Sequence, residues 1–199
     1  MSEMFIKVNG ISSLTDARYC AGMGVHKLGL HFDENGIGGM DPTQFASIKA
    51  WIEGVVWTGT YAGNNLEVFE NLVSQYQIFE WVLNPDLLKD SFKVSNKSLS
   101  IHLKISSLDD ISSVDQSKIS GFEVSVKDSV FQNGLEKLVS GLRKDQTIYL
   151  KDIPNPEFVL KTHQDFPQIG FTLLSGEEER PGWMDLSDLQ DMLEQLEND

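Results

Sequence analysis

Lys7, His31, Glu80, His102, Glu123 and Lys151 are ionisable candidates in or just after the short β-rich runs of this chain. A lysine beside glutamates can shuttle protons or form a Schiff base. The same charges can instead pair with one another to fill an interior, or occupy the outward, alternate positions of their strands. The four histidines, His26, His31, His102 and His163, are scattered, and no His/Asp/Glu spacing points to zinc. No metal and no cofactor is expected. Cys20 is the only cysteine, which excludes an internal disulfide and a cysteine-rich metal site. It shares a helical stripe with Ala17 and Ala21 and reads as a small buried hydrophobe. The four tryptophans read as packing residues.

The elements that position these residues alternate strand and helix. The strand runs begin with Phe5–Val8, whose Lys7 shares a parity with the Asn9 that follows, and Lys27–Phe32. Val55–Tyr61, Ile78–Leu83 and Leu99–Leu103 follow, then Gly121–Val126, Thr147–Leu150 and Gly170–Leu174. Between them lie helical stripes. Ser13 with Asp16 caps the first, and Asp41-Pro42 opens the second. Leu66, Phe69, Leu72, Val73 and Tyr76 mark the third. Asn84-Pro85-Asp86 opens a short helix, Leu108 to Val114 is a weaker one, and Asn155-Pro156-Glu157 caps another. Leu186, Leu189, Leu193 and Leu196 stripe the last. Eight such units in 199 residues fit an α/β fold, a (β/α)8 TIM barrel forming a single domain over residues 1–199, at about 25 residues a unit. A doubly wound open sheet gives the same alternation.

The bulk composition narrows the function classes. The net charge is −14 and the acidity is greatest toward the C-terminus, so nucleic acid and anionic membranes are not expected partners. No apolar run approaches the ~20 residues of a membrane helix, and the opening residues do not read as a signal peptide. A cytoplasmic address is expected, as a monomer or a homodimer.

Two stretches carry a family resemblance. Lys7-Val8-Asn9-Gly10-Ile11-Ser12, then Asp16-Ala17, Ala21-Gly22-Met23-Gly24 and Leu28-Gly29-Leu30-His31-Phe32, resembles the opening of phosphoribosylanthranilate isomerases, K-I-C-G-I-T, D-A, A-G-A and L-G-F-x-F. Leu174-Ser175-Gly176-Glu177-Glu178 with Pro181-Gly182-Trp183-Met184-Asp185 is similar to that family's S-S-G-V-E and P-G-x-K-D. Asn155-Pro156-Glu157-Phe158-Val159 resembles its N-P-E-N-V. The resemblance implies a barrel, a phosphorylated small-molecule ligand and an Amadori rearrangement in tryptophan biosynthesis. In that reaction a thiolate on the first strand removes a carbon-bound proton and a carboxylic acid on the sixth protonates the ribose ring oxygen.

The chemistry-bearing positions of that pattern differ here. Asn9 stands at the position of the base, and a carboxamide does not titrate near neutral pH. Val124-Ser125-Val126 stands where the family reads L-L-D; Asp128, two residues on, and Glu123 are the nearby carboxylates, and Asp128 reads as a solvated loop residue. The loop Asn35–Met40 has no arginine to hold a carboxylate. The family's G-G-T-G has no counterpart, and Leu150-Lys151-Asp152 replaces its A-G-G. Ser175 and Gly176 remain as phosphate-binding candidates, with Lys151 as a point charge, and Glu177-Glu178-Glu179 follows directly. The expectation is a related barrel that has lost the isomerisation. An active isomerase with a non-standard site, or a barrel that binds a small molecule or a partner, is the alternative.

Overall fold

Hydrophobic residues on one parity of each strand and along one stripe of each helix build a closed parallel barrel. Its strands are β1 (Ile6–Asn9), β2 (Lys27–Phe32), β3 (Val56–Tyr61), β4 (Glu80–Leu83), β5 (Ser100–Ile105), β6 (Gly121–Ser125), β7 (Thr147–Lys151) and β8 (Ile169–Leu174). They pair in sequence order, and β8 closes on β1. The structure, a computed structural model, describes residues 4–38, 40–88, 99–112, 114–176, 178–180, 183–184 and 186–197. Closure decides between the two architectures that the alternation allowed: the sheet is a barrel, not an open doubly wound sheet.

Among the described residues the helices are α1 (Leu14–Gly22), α2 (Pro42–Lys49), α3 (Leu66–Tyr76), α4 (Leu108–Ser112), α5 (Ser129–Ser140), α6 (Pro156–Asp165) and α7 (Ser187–Glu197). Their starts follow from local chemistry. Ser13 accepts from the Asp16 amide while Asp16 reaches back to the Ser13 amide, a reciprocal capping box for α1. Asp41 caps α2 with Pro42 in its first turn, and Asn155 caps α6 ahead of Pro156. Asn84-Pro85 opens a 3-10 helix, Pro85–Leu88, and the residues after it lie outside those described. A short antiparallel pair, β9 (Glu178–Arg180) and β10 (Trp183–Met184), precedes α7. No helix among the described residues is long and apolar enough to cross a membrane.

The core lies between the barrel and its helices. Val8, Leu28, Phe32, Trp81, Leu103, Phe122, Leu150 and Phe171 point outward from their strands and are buried under the helices. Cys20 joins this layer from α1, fully buried, so its thiol packs outside the barrel. Burial, then Asp16, pushes that thiol up to about 12.

Candidate functional site

The opposite parity of every strand faces the barrel axis. Because strands in such a barrel are staggered, inward side chains from alternate strands share a layer. The pairing registers place Lys27, Glu80, Gly121 and Gly170 at the N-terminal end of the barrel, with Lys7, Thr58, His102 and Tyr149 above them. Gly29, Val82, Glu123 and Thr172 come next, then Asn9, Thr60, Lys104 and Lys151. His31, Ser125 and Leu174 rim the C-terminal mouth. Barrel interiors are commonly filled by branched apolar side chains. This one is polar in nearly every layer.

Two ion pairs hold its lower half. Lys7 Nζ donates to Glu123 Oε2 at 2.6 Å, with both side chains buried, and Thr172 Oγ1 donates to the same oxygen at 3.2 Å. Burial would raise the Glu123 pKa. The charge and hydrogen bond of Lys7, then Lys151 and Thr172, outweigh it and hold the carboxyl below its usual range. Lys27 Nζ donates to both oxygens of Glu80, at 2.7 and 2.8 Å. Burial lowers the Lys27 pKa, and attraction to Glu80 and Tyr149 more than offsets that, leaving it raised. Both ammonium groups lie over the Tyr149 ring, at 5.5 Å for Lys7 and 4.9 Å for Lys27.

His102 completes this interior. Its Nε2 lies 3.0 Å from Thr147 Oγ1, and its Nδ1, 3.9 Å from a Glu80 oxygen, has no hydrogen-bond partner. Burial, then the charges of Lys27 and Lys7, push the imidazole down to about 3, so it is neutral at physiological pH. Glycines make room for such groups. A Cβ on Gly29 would lie 1.9 Å from Asn9 Oδ1, and one on Gly170 would lie 2.6 Å from the Tyr149 ring.

Asn9 ends β1 just below the mouth. It is 9% exposed, and its Oδ1 is buried without a hydrogen-bond partner. Thr60 Oγ1, in the same layer, is also unpartnered. Lys151 is half-buried, and Lys104 and His31 are exposed. Burial, then Lys104 and Lys151, lowers the His31 pKa, while Asp33 and Glu123 pull it the other way. Ser125 is buried at the end of β6, where its hydroxyl accepts from the Lys127 amide.

The remaining sequence candidates fall elsewhere. Glu80 opens β4 and so sits at the end of the barrel away from the mouth, next to Lys27. Asp128 takes the N-cap position of α5 without a side-chain capping bond, beyond the end of β6. Ser175 is fully buried. Its amide donates to the Asn9 carbonyl at 2.8 Å and its hydroxyl to the Gly10 carbonyl at 2.7 Å, which clasps the loops after β1 and β8. Gly176 is exposed with φ +119°, a left-handed conformation that glycine tolerates. A cleft of about 180 Å³ between the ends of β7 and β8 and helix α7 is lined by Asp152 and Asp188 among apolar residues. Glu177 and the side chains of Glu178 and Glu179 lie outside the described residues.

Sequence reasoning passed over Lys27, Lys104, Tyr149 and Thr172. The signal was parity: Lys27, Gly29 and His31 alternate on one face of β2, and Lys104 continues the face that carries His102 once β5 is extended to Ile105. No group of three or more His, Cys, Asp or Glu among the described residues is arranged to hold a metal ion.

No protein-family model and no curated protein matches the sequence. Solved structures match it along its whole length. The phosphoribosylanthranilate isomerase of Thermus thermophilus is 16% identical, with a TM-score of 0.71 over 98% of this chain and 99% of that one. N-(5'-phosphoribosyl)anthranilate isomerase of Pyrococcus furiosus is 12% identical, with a TM-score of 0.70 over 99% of this chain and 100% of its own. A phosphoribosylanthranilate isomerase in complex with reduced 1-(o-carboxyphenylamino)-1-deoxyribulose 5-phosphate is 15% identical, with a TM-score of 0.69 over 98% of this chain and 100% of its own. This chain therefore has the fold of the phosphoribosylanthranilate isomerases.

Proposed function

We propose that the chain is a divergent relative of the phosphoribosylanthranilate isomerases that has kept the barrel and its mouth as a small-molecule site and has lost the isomerisation. The observation that carries this reading is Asn9, a carboxamide at the end of β1, with no titratable group on that strand above the buried Lys7. Amadori chemistry needs one group that accepts a proton and one that donates it, with pKa values near the working pH. Glu123 is held ionised by Lys7, a poor acid, and His102 at about 3 is a poor base. The Cys20 thiol, pushed up to about 12, lies in the layer outside the barrel. Val126 stands where the family's acid is expected, and Ser125 before it offers only a hydroxyl.

The phosphate apparatus is altered in the same direction. The Ser175 hydroxyl is committed to the Gly10 carbonyl, and the cleft between β7, β8 and α7 presents Asp152 and Asp188, which repel an anion. Fold similarity alone does not carry a reaction without the site that performs it. A lone thiol kept in the core fits a reducing compartment, and the cytoplasm is the proposed address.

A second reading, an isomerase with a non-standard base, draws on His31. It stands at the mouth with a lowered pKa and is therefore a neutral proton acceptor at pH 7. Complementation of a tryptophan auxotroph lacking the isomerase separates the two. No growth without tryptophan, with the protein shown to be expressed and folded, is expected; growth that depends on His31 would establish the second reading.

A further inference from the structure

We propose that the cleft between the ends of β7 and β8 and helix α7 binds a small organic ammonium ion, a primary amine carried on a short apolar body. The cleft adjoins the mouth considered above, and the proposal rests on the reading that this place no longer holds a phosphate.

The first argument is shape and polarity. Leu173 of β8 and Leu189 of α7 are buried in the walls, and Ile153 and Met192 are half-buried beside them. Leu174 stands at the rim, 68% exposed. At about 180 Å³ the cleft falls below the range of about 300–1,000 Å³ that drug-sized ligands use, so its occupant is small. Covering these walls favours an apolar body over a bare ion.

The second argument is the sign of the charge. Asp152 and Asp188 are the ionisable side chains on the cleft, and both are exposed. Neither carboxylate has a hydrogen bond or an ion pair with another side chain among the described residues. Asp188 and Met192 lie one turn apart on α7, so carboxylate and thioether share a face. The start of α7 offsets part of the Asp188 charge, and the two carboxylates together still leave the cleft negative. Lys151, next to Asp152 in the chain, faces the barrel axis instead.

Asp152 also occupies a backbone position that suits another residue. Its φ is +59°, a left-handed conformation favoured by glycine, and glycine is what the isomerase pattern A-G-G reads there. An aspartate adds negative charge where glycine would leave bare amides, so the position disfavours an anion and favours a cation. A metal ion fits less well. Among the described residues no group of three or more His, Cys, Asp or Glu is arranged to hold one, and hard divalent cations take about six or more oxygen ligands. An ammonium group needs only acceptors for its N–H donors, and two carboxylates supply them.

The test uses the full chain with 2-phenylethylammonium, 3-phenylpropionate, 2-phenylethanol, Mg²⁺ and inorganic phosphate as separate probes. Binding is read by calorimetry and by the methyl NMR signal of Met192, assigned with Met192→Leu. The ammonium probe alone is expected to bind in the millimolar range or tighter and to shift Met192. Asp152→Asn and Asp188→Asn are each expected to weaken binding about threefold, and the double variant about tenfold. Asp165→Asn, which removes the same charge at the end of α6, leaves it unchanged. Leu174→Lys, at an exposed position, brings a like charge to the rim and is expected to abolish it. The proposal is overturned if the carboxylate, the alcohol or Mg²⁺ binds as tightly as the ammonium, or if the double variant binds as well as wild type. Inorganic phosphate that shifts Met192 defeats the underlying reading and the proposal with it. An ammonium probe that leaves Met192 unmoved, with phosphate silent too, defeats the proposal alone.

Discussion

The Lys7 ammonium and the Glu123 carboxylate meet at 2.6 Å inside the barrel, from β1 and β6, with less than 5% of either side chain exposed. They come together because each occupies an inward position near the middle of its strand. A buried pair of this kind is weak evidence for stability in itself, because desolvation opposes the attraction. Removing one partner is a different matter. Lys7→Met leaves Glu123 buried and uncompensated, and about 3–5 kcal/mol of stability is expected to go, measured by urea unfolding. Lys7→Met with Glu123→Leu restores most of that loss. A double variant no more stable than Lys7→Met would mean that the pair does not act as a unit.

The acid limb of stability has a defined sign. His102 titrates at about 3 when folded against an ordinary 6.5, so between those values the unfolded chain takes up a proton that the native state refuses. Stability is complete above 6.5 and falls with pH below it. Glu123, depressed below its ordinary 4.5, adds a second loss at lower pH, as protons reach its carboxylate through the folded pKa. From about pH 7 to about pH 5 the histidine contribution alone is about 2 kcal/mol. His102→Leu is expected to flatten that part of the profile. An unchanged slope would assign the acid sensitivity to other groups.

Gly29→Ala places a methyl group 1.9 Å from Asn9 Oδ1. The amide must swing away, and overpacking of this kind costs about 1–3 kcal/mol. Asn9→Ala in the same chain should remove the clash and recover most of the difference, as read from the thermal midpoint. Recovery of nothing would locate the strain in the backbone of β2 instead.

Asn9→Cys supplies the missing sulfur but neither an acid at the end of β6 nor a phosphate cradle after β7 and β8. No appreciable isomerase activity is expected from it in a coupled assay, and substantial rescue would show that the base alone had been lost.

The periodicity of the sequence was sufficient for the alternation of strands and helices. Caps such as Ser13 with Asp16 and the Pro42 and Pro156 starts fix helix onsets locally, and β-rich runs separate them. Closure of the sheet is a long-range property that alternation cannot report, and the resemblance of the Lys7–Phe32 and Leu174–Asp185 stretches raised it above the open sheet. The interior was only partly legible. Lys7 and Glu123 were visible as inward ionisable groups, but their partnership needs the stagger of β1 against β6. Ending the fifth strand at Leu103 concealed Lys104, because a lysine after an apolar run reads as a loop residue, although β5 continues to Ile105. Ser175 looked free to hold a phosphate, and its commitment to the Gly10 carbonyl is a contact between chain segments 165 residues apart.

The most direct measurement is turnover of N-(5'-phosphoribosyl)anthranilate by the purified protein, followed by single-turnover analysis at enzyme excess. The account predicts conversion no faster than the protein-free background, with and without added phosphate. Turnover at about 1 s⁻¹ or above, the lower end of ordinary enzyme rates, would contradict it.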